Sequence, residues 1–250
     1  MPKKTDLIAL LVDGDNAQAK LLKPIIEEVS KYGKVTIRRI YGDWTSPGMG
    51  SWKKTLNDVS FTPIQKFSYT VGKNSTDSSL IIDAMDILHA GTVDGFCIVS
   101  SDSDYTGLAK RIREEGIFVM GIGEKRTPTA FVQSCEIFTF CETIAPAPEP
   151  APKQTTKIKT TAKPQRPIFA KIDQDIINKA YDASSNEQEE AYISTLGFHI
   201  RRLDPSFDAR AFGYKTLTQL MASLPEYELL YKEVNGDQQR IVRKRKSGAA

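Results

Sequence analysis

Short, wholly apolar runs recur along the first half of the chain, and each breaks off sharply into polar residues. Leu7-Ile8-Ala9-Leu10-Leu11-Val12 ends in Asp13-Gly14-Asp15-Asn16, and Phe96-Cys97-Ile98-Val99 ends in Ser100-Ser101-Asp102-Ser103-Asp104. β-Favouring runs of this length read as strands buried on both faces, the pattern of a parallel sheet. Between them the period changes. Leu21, Leu22, Ile25, Ile26 and Val29 fall at helical spacing within residues 17–32, with Gly33 as a stop; Ile81, Ala84 and Leu88 do the same in a helix capped by Ser75 or Thr76. Further strands are expected at 35–41, 61–69, 117–122 and 136–140, further helices at 108–115 and near Ala130, and a loop rich in glycine and tryptophan at 42–54. Strands alternating with helices predict an α/β fold, a parallel sheet sandwiched between helical layers, over residues 1–142.

Residues 143–167 break this pattern. Ala-Pro-Ala-Pro-Glu-Pro-Ala-Pro followed by a Thr- and Lys-rich run predicts a semi-rigid, extended linker. Beyond it, helical periodicity at 172–183, 189–198 and 217–223 precedes two alternating runs around Asn235-Gly236, a strong hairpin signal. Three short helices and a terminal hairpin predict a small winged-helix domain at 168–245, with a basic tail end at 246–250.

Composition narrows the class. The 250 residues carry a net charge of +3, 40% hydrophobic and 26% charged residues, which fits a soluble globular protein and neither demands nor excludes a polyanionic partner. Cys97, Cys135 and Cys141 form no CxxC pair, so a disulfide framework or zinc site is not expected and a reducing, cytoplasmic setting is. The leading apolar run of six residues is too short for a signal peptide or membrane span.

The chemistry lies in the acids. Open α/β sheets bind ligands outside the carboxyl ends of their strands, which is where Asp13, Asp102 and Asp104 fall. Asp77 lies in line with the apolar stripe of the helix at 75–90, Asp86 should face solvent, and Asp83 could do either. If the strands at Leu7 and Phe96 are neighbours, Asp13, Asp77, Asp102 and Asp104 converge. Like charges at close range raise one another's pKa, so such a set calls for divalent metal, and an all-oxygen site points to Mg²⁺ or Mn²⁺. These metals serve displacements at phosphorus, and phosphodiester hydrolysis follows. Asn16 and Ser101 are candidates to bond a phosphate oxygen or hold a carboxylate, and Lys73 to meet a substrate backbone.

Arg38, Arg39, Lys53, Lys54 and Lys66, interleaved with Trp44, Trp52 and Tyr69, could stack and track a nucleic-acid strand or simply form a solvated surface. Arg201, Arg202, Arg210, Lys215 and the basic tail form a candidate phosphate-contacting set.

The motifs hydrophobic-Val-Asp13-Gly-Asp15-Asn16, Gly72-Lys73-Asn74-Ser-Thr-Asp77-Ser and Val99-Ser100-Ser101-Asp102-Ser-Asp104-Tyr105 resemble the NYN domains of the PIN-like nuclease superfamily, over about residues 5–142. The resemblance implies an α/β/α sandwich that cleaves RNA with Mg²⁺ or Mn²⁺ held by Asp13, Asp77, Asp102 and Asp104. Asp15 departs from it, since many members carry a neutral residue there. Phe207-Asp208-Ala209-Arg210 and Phe212-Gly213-Tyr214-Lys215-Thr216-Leu217 are similar to the LOTUS, or OST-HTH, domain. That implies a winged-helix module for RNA, G-rich in some reports, or for a protein partner. Two rivals stand beside a ribonuclease: a nonhydrolytic RNA-binding adaptor on the same fold, and a haloacid-dehalogenase-type phosphatase with Asp13 as nucleophile and Asp15 as acid. Against the phosphatase, Ala17 replaces the usual threonine and Asp77 has no role.

Overall fold

A computed structural model describes residues 7–46, 49–50, 52–66, 75–145, 171–234 and 237–245. The expectations for Lys73, Tyr69, most of the linker and the tail end lie outside these residues, and so do the side chains of Lys53, Lys54, Ser75 and Thr76.

The two apolar runs form β1 (Leu7–Asp13) and β4 (Gly95–Val99), and every β4 residue is buried. With β2 (Lys34–Gly42), β3 (Thr62–Gln65), β5 (Phe118–Gly123) and β6 (Ile137–Phe140) they make one sheet in the order β3-β2-β1-β4-β5-β6, parallel at each pairing. The chain builds outward from β1 to β3, then crosses back to β4 and builds outward the other way. β1 and β4 therefore flank the point where the winding reverses, the place where such sheets open a crevice at their carboxyl ends.

Side chains alternate between the two faces of each strand, so each face gathers its own core. Ala9, Leu11, Phe96 and Ile98 meet α3 (Ser75–Ala90), α4 (Thr106–Glu114) and α5 (Thr129–Ser134) through Leu80, Ala84, Ile87, Leu108, Ile112 and Phe131. Ile8, Leu10, Val12, Cys97 and Val99 meet α1 (Leu22–Val29) and α2 (Trp52–Val59) through Leu22, Ile25, Val29, Trp52 and Leu56. The result is the expected three-layer sandwich. α2 occupies the end of the stretch expected to be a loop, and its Trp52 is 3% exposed. Its apolar positions are Trp52, Leu56 and Val59, too few for the period to stand out among the polar residues around them. A third short helix on this side, α6 (Cys141–Ile144), runs just past the expected domain end.

The C-terminal unit comprises α7 (Gln174–Ser184), β7 (Glu190–Tyr192), α8 (Ile193–Leu203), a 3-10 turn (Ala209–Phe212), α9 (Leu217–Ser223) and the hairpin β8 (Tyr227–Val234) and β9 (Asp237–Lys244). β7 joins the hairpin to make an antiparallel sheet in the order β7-β9-β8. Ile177, Tyr181, Leu196, Ile200, Leu220, Tyr227 and Val242 form its core. β7 departs from the expected continuous helix at 189–198: Glu190 pairs with Lys232 and Arg243 of the hairpin at 2.9 and 2.5 Å, a partnership set by chain distant in sequence.

This unit is seated on α1 and β6. The Phe138 amide donates to the Pro205 carbonyl at 2.8 Å, and Arg210 grips Glu28 of α1. α1 runs antiparallel to the strands, so its C-terminal end, like the start of β6, lies at the amino edge of the sheet. The crevice at the carboxyl edge is left facing away.

Candidate metal centre

β1 and β4 deliver their polar ends side by side, as their register pairs Val12 with Val99. Asp13 has the same parity as Ala9 and Leu11 and so turns toward α3 and α4; Ser100 follows Phe96 and Ile98 to the same face. The Ser100 hydroxyl donates to Asp13 Oδ2 at 2.9 Å and accepts the Asp102 amide at 3.1 Å, tying the two strand ends together. Asn16 Nδ2 donates to the same oxygen at 2.7 Å, and the Asp15 amide to Oδ1 at 3.2 Å. Ser101, one residue on, turns to the other face and accepts the Glu124 amide at 2.9 Å. The turn after β1 needs Gly14: its amide donates to the Tyr41 carbonyl at 2.8 Å, and a Cβ there would lie 2.7 Å from that oxygen.

Asp102 caps the 3-10 turn Ser103–Tyr105, its carboxylate accepting the Asp104 amide at 3.1 Å. That turn aims Asp104 outward and buries Tyr105, whose hydroxyl donates to Asp77 Oδ1 at 2.7 Å. Asp77 sits in the first turn of α3, where the helix dipole favours an anion. Cap and dipole would each explain one acid alone. The joint geometry goes further, because one carboxylate oxygen from each of Asp77, Asp102 and Asp104 lies within 4.8 Å of the others. Asp13 is not in that set; fully buried, it lies beneath it with its oxygens taken by Ser100, Asn16 and the Asp15 amide.

Residues 7–142 match the family model of the NYN domain, more than half of the chain, and residues 169–237 match that of the OST-HTH/LOTUS domain. The chain belongs to the NYN family. Among solved structures, the NYN chain is similar to a protein of unknown function from Vibrio parahaemolyticus RIMD 2210633, at 20% identity and TM-score 0.46 over 56% of this chain and 95% of that one. It is also similar to an uncharacterized protein from Nitrosomonas europaea, at 21% identity and TM-score 0.32 over 39% and 96%. No curated protein matches it.

Electrostatics of the NYN site run against its own acids. Burial raises the Asp13 pKa, opposed by the Asn16 and Ser100 hydrogen bonds. Burial also raises that of Asp77, opposed by Tyr105, with Asp13, Asp102 and Asp104 adding repulsion. Tyr105 is pushed far up by burial and by Asp13 and Asp77, so its hydroxyl stays a donor. The residues thus fit a hard divalent cation: oxygen donors only, converging, with Asp13, Asp102 and Asp104 all opposing the charge on Asp77.

Other expected site residues lie elsewhere. Trp44 donates its indole N–H to the Ile64 carbonyl at 3.0 Å and packs against the α1/α2 core, and Arg38 donates to the Val59 carbonyl at 3.1 Å. Arg39 and Tyr41 both bond Asp83, so α3 is pinned to β2 just below the site. Asp86 is exposed, as its helical position predicts. In the OST-HTH/LOTUS domain Lys215 is exposed, while Arg210 is engaged by Glu28 and Asp208. Three contributors have no role assigned from the sequence: Ser100 and Tyr105, which stand there only as part of a motif, and Asp83, whose position falls between the two faces of its helix. Strand parity pointed to Ser100 over Ser101; Tyr105 closes the third motif, but nothing in the sequence supplies its hydroxyl with a partner.

Proposed function

We propose that this NYN chain is a ribonuclease that cleaves RNA phosphodiester bonds with Mg²⁺ or Mn²⁺, its OST-HTH/LOTUS domain binding RNA or a protein partner. The convergence of Asp77, Asp102 and Asp104 at the point where the sheet's winding reverses carries this reading. These three would hold the ion, with Asp13 supporting from below. A divalent cation supplies charge neutralisation at the phosphodiester and a nucleophile drawn from water. Asp102 and Asp104 are presented by the strand end and its turn, and Asp77 by the helix across the crevice. Ser100 and Asn16 keep the buried Asp13 carboxylate oriented, and Tyr105 fixes Asp77 by one oxygen.

The test is cleavage of labelled single-stranded RNA and DNA with Mg²⁺, Mn²⁺ or EDTA, beside the double substitution Asp102→Asn and Asp104→Asn. Metal-dependent cutting of RNA that the double variant loses while still binding RNA is the expected result. Equal inactivity of both proteins, with RNA bound by both, would make the chain an RNA-binding adaptor instead.

A further inference from the structure

The seam between the two domains holds a half-open cleft of about 240 Å³. Arg201, Arg210 and Lys215 wall it on the OST-HTH/LOTUS side, with Glu28 and Lys31 on the NYN side. Arg210 meets Glu28 in a fork, Nη1 at 2.9 Å from one carboxylate oxygen and Nη2 at 2.8 Å from the other. Its Nε and Nη2 also hold Asp208, at 3.0 and 2.5 Å. The Glu28 side chain is only 5% exposed, and Lys31 covers its remaining side at 2.6 Å. On the OST-HTH/LOTUS side three cations, Arg201, Arg210 and Lys215, stand against the single acid Asp208, a net of +2 from three minus one. Arg201 and Lys215 form no ion pair among the described residues.

A parallel two-bond fork is also how arginine takes two oxygens of a phosphate. Glu28 therefore stands on Arg210 where a backbone phosphate would stand. The contact also lies at the amino edge of the sheet, opposite the acids, so in this arrangement the cationic face is turned away from the metal centre. We propose that Glu28 is an internal competitor for Arg210, so that docking onto α1 and engagement of an RNA phosphate by the face bearing Arg201, Arg210 and Lys215 exclude one another. The proposal rests on the RNA-binding reading of the second domain. Its consequence is regulatory. RNA must open the seam to be held there, and the released domain is then free to bring that strand round to the acids.

The experiment uses the full chain in EDTA, so that nothing is cut. Small-angle scattering reads the docking, and fluorescence anisotropy reads binding of a labelled single-stranded RNA. Glu28→Ala should enlarge the radius of gyration and tighten RNA binding, about tenfold if one molecule in about ten is open at rest, since apparent affinity scales with the competent fraction. Arg210→Ala should also open the molecule, yet bind RNA more weakly than Glu28→Ala does. A Glu28→Ala protein that stays compact overturns the latch. One that opens but binds RNA no more tightly than wild type overturns the competition alone. RNA bound by neither protein overturns the competition together with the RNA-binding role on which it rests.

Discussion

Tyr105 is fully buried directly beneath the candidate metal centre, and its hydroxyl is committed to Asp77. Removing that hydroxyl leaves the packing of the ring against Phe131 in place while freeing Asp77 to rotate. Groups that orient metal ligands typically cost 10–100-fold in affinity or activity when lost. Tyr105→Phe should therefore weaken Mn²⁺ binding, read by calorimetry, by roughly that factor, with an unfolding midpoint near that of the wild type. An unchanged Mn²⁺ affinity would leave the tyrosine as packing alone. The acids themselves were legible because chemistry names them: a carboxylate at a strand's carboxyl end is conspicuous. Tyr105 was not, since an aromatic after Asp104 reads as core, which it also is.

At the scale of elements, the site depends on how closely the turn after β1 approaches the end of β2. Gly14→Ala would put a methyl 2.7 Å from the Tyr41 carbonyl oxygen, against backbone that cannot swing aside. Overpacking of this kind costs about 1–3 kcal/mol, and urea unfolding should show it as a lower midpoint at an unchanged slope. The displacement would fall on Asp13 and Tyr41, so metal affinity should drop as well. Strand and helix positions followed from periodicity wherever an element carried enough apolar residues to display one. β1, α1, α3 and β4 did. α2 and the three-residue β7 did not, because one is held by a few contacts to the sheet and the other by ion pairs from the hairpin.

In the whole molecule, the seam makes domain docking depend on pH. Lys31 and Arg210 face Glu28 directly, with Tyr32, Arg201 and Asp208 around them. Burial alone would raise the Glu28 pKa, but hydrogen bonds from Arg210 and Lys31 outweigh it and leave the pKa below the usual 4.5. A carboxyl lowered by docking contributes to docking above its undocked pKa and ceases to do so as pH falls through the docked one. The radius of gyration should hence stay constant through neutral pH and begin to rise only as the pH drops below about 4.5, the ordinary value for this group. In Glu28→Ala that acid-dependent step should be missing.

By itself the sequence determined the α/β class, the strand and helix order over most of residues 7–142, the family, and that Asp13 and Asp102 stand at the carboxyl ends of apolar strands. Each of these follows from local pattern: apolar period fixes an element, and the polar residue ending a strand is carried to the sheet's carboxyl edge wherever that strand lies. Tertiary structure alone decided that Asp77, Asp102 and Asp104 close together while Asp13 is held beneath them, that Ser100 and Tyr105 do the holding, and that Arg210 reaches Glu28 across 182 positions of chain. These are matters of a few ångströms between groups far apart in sequence. No periodicity encodes them, because they depend on strand register and on how two separately folded units meet.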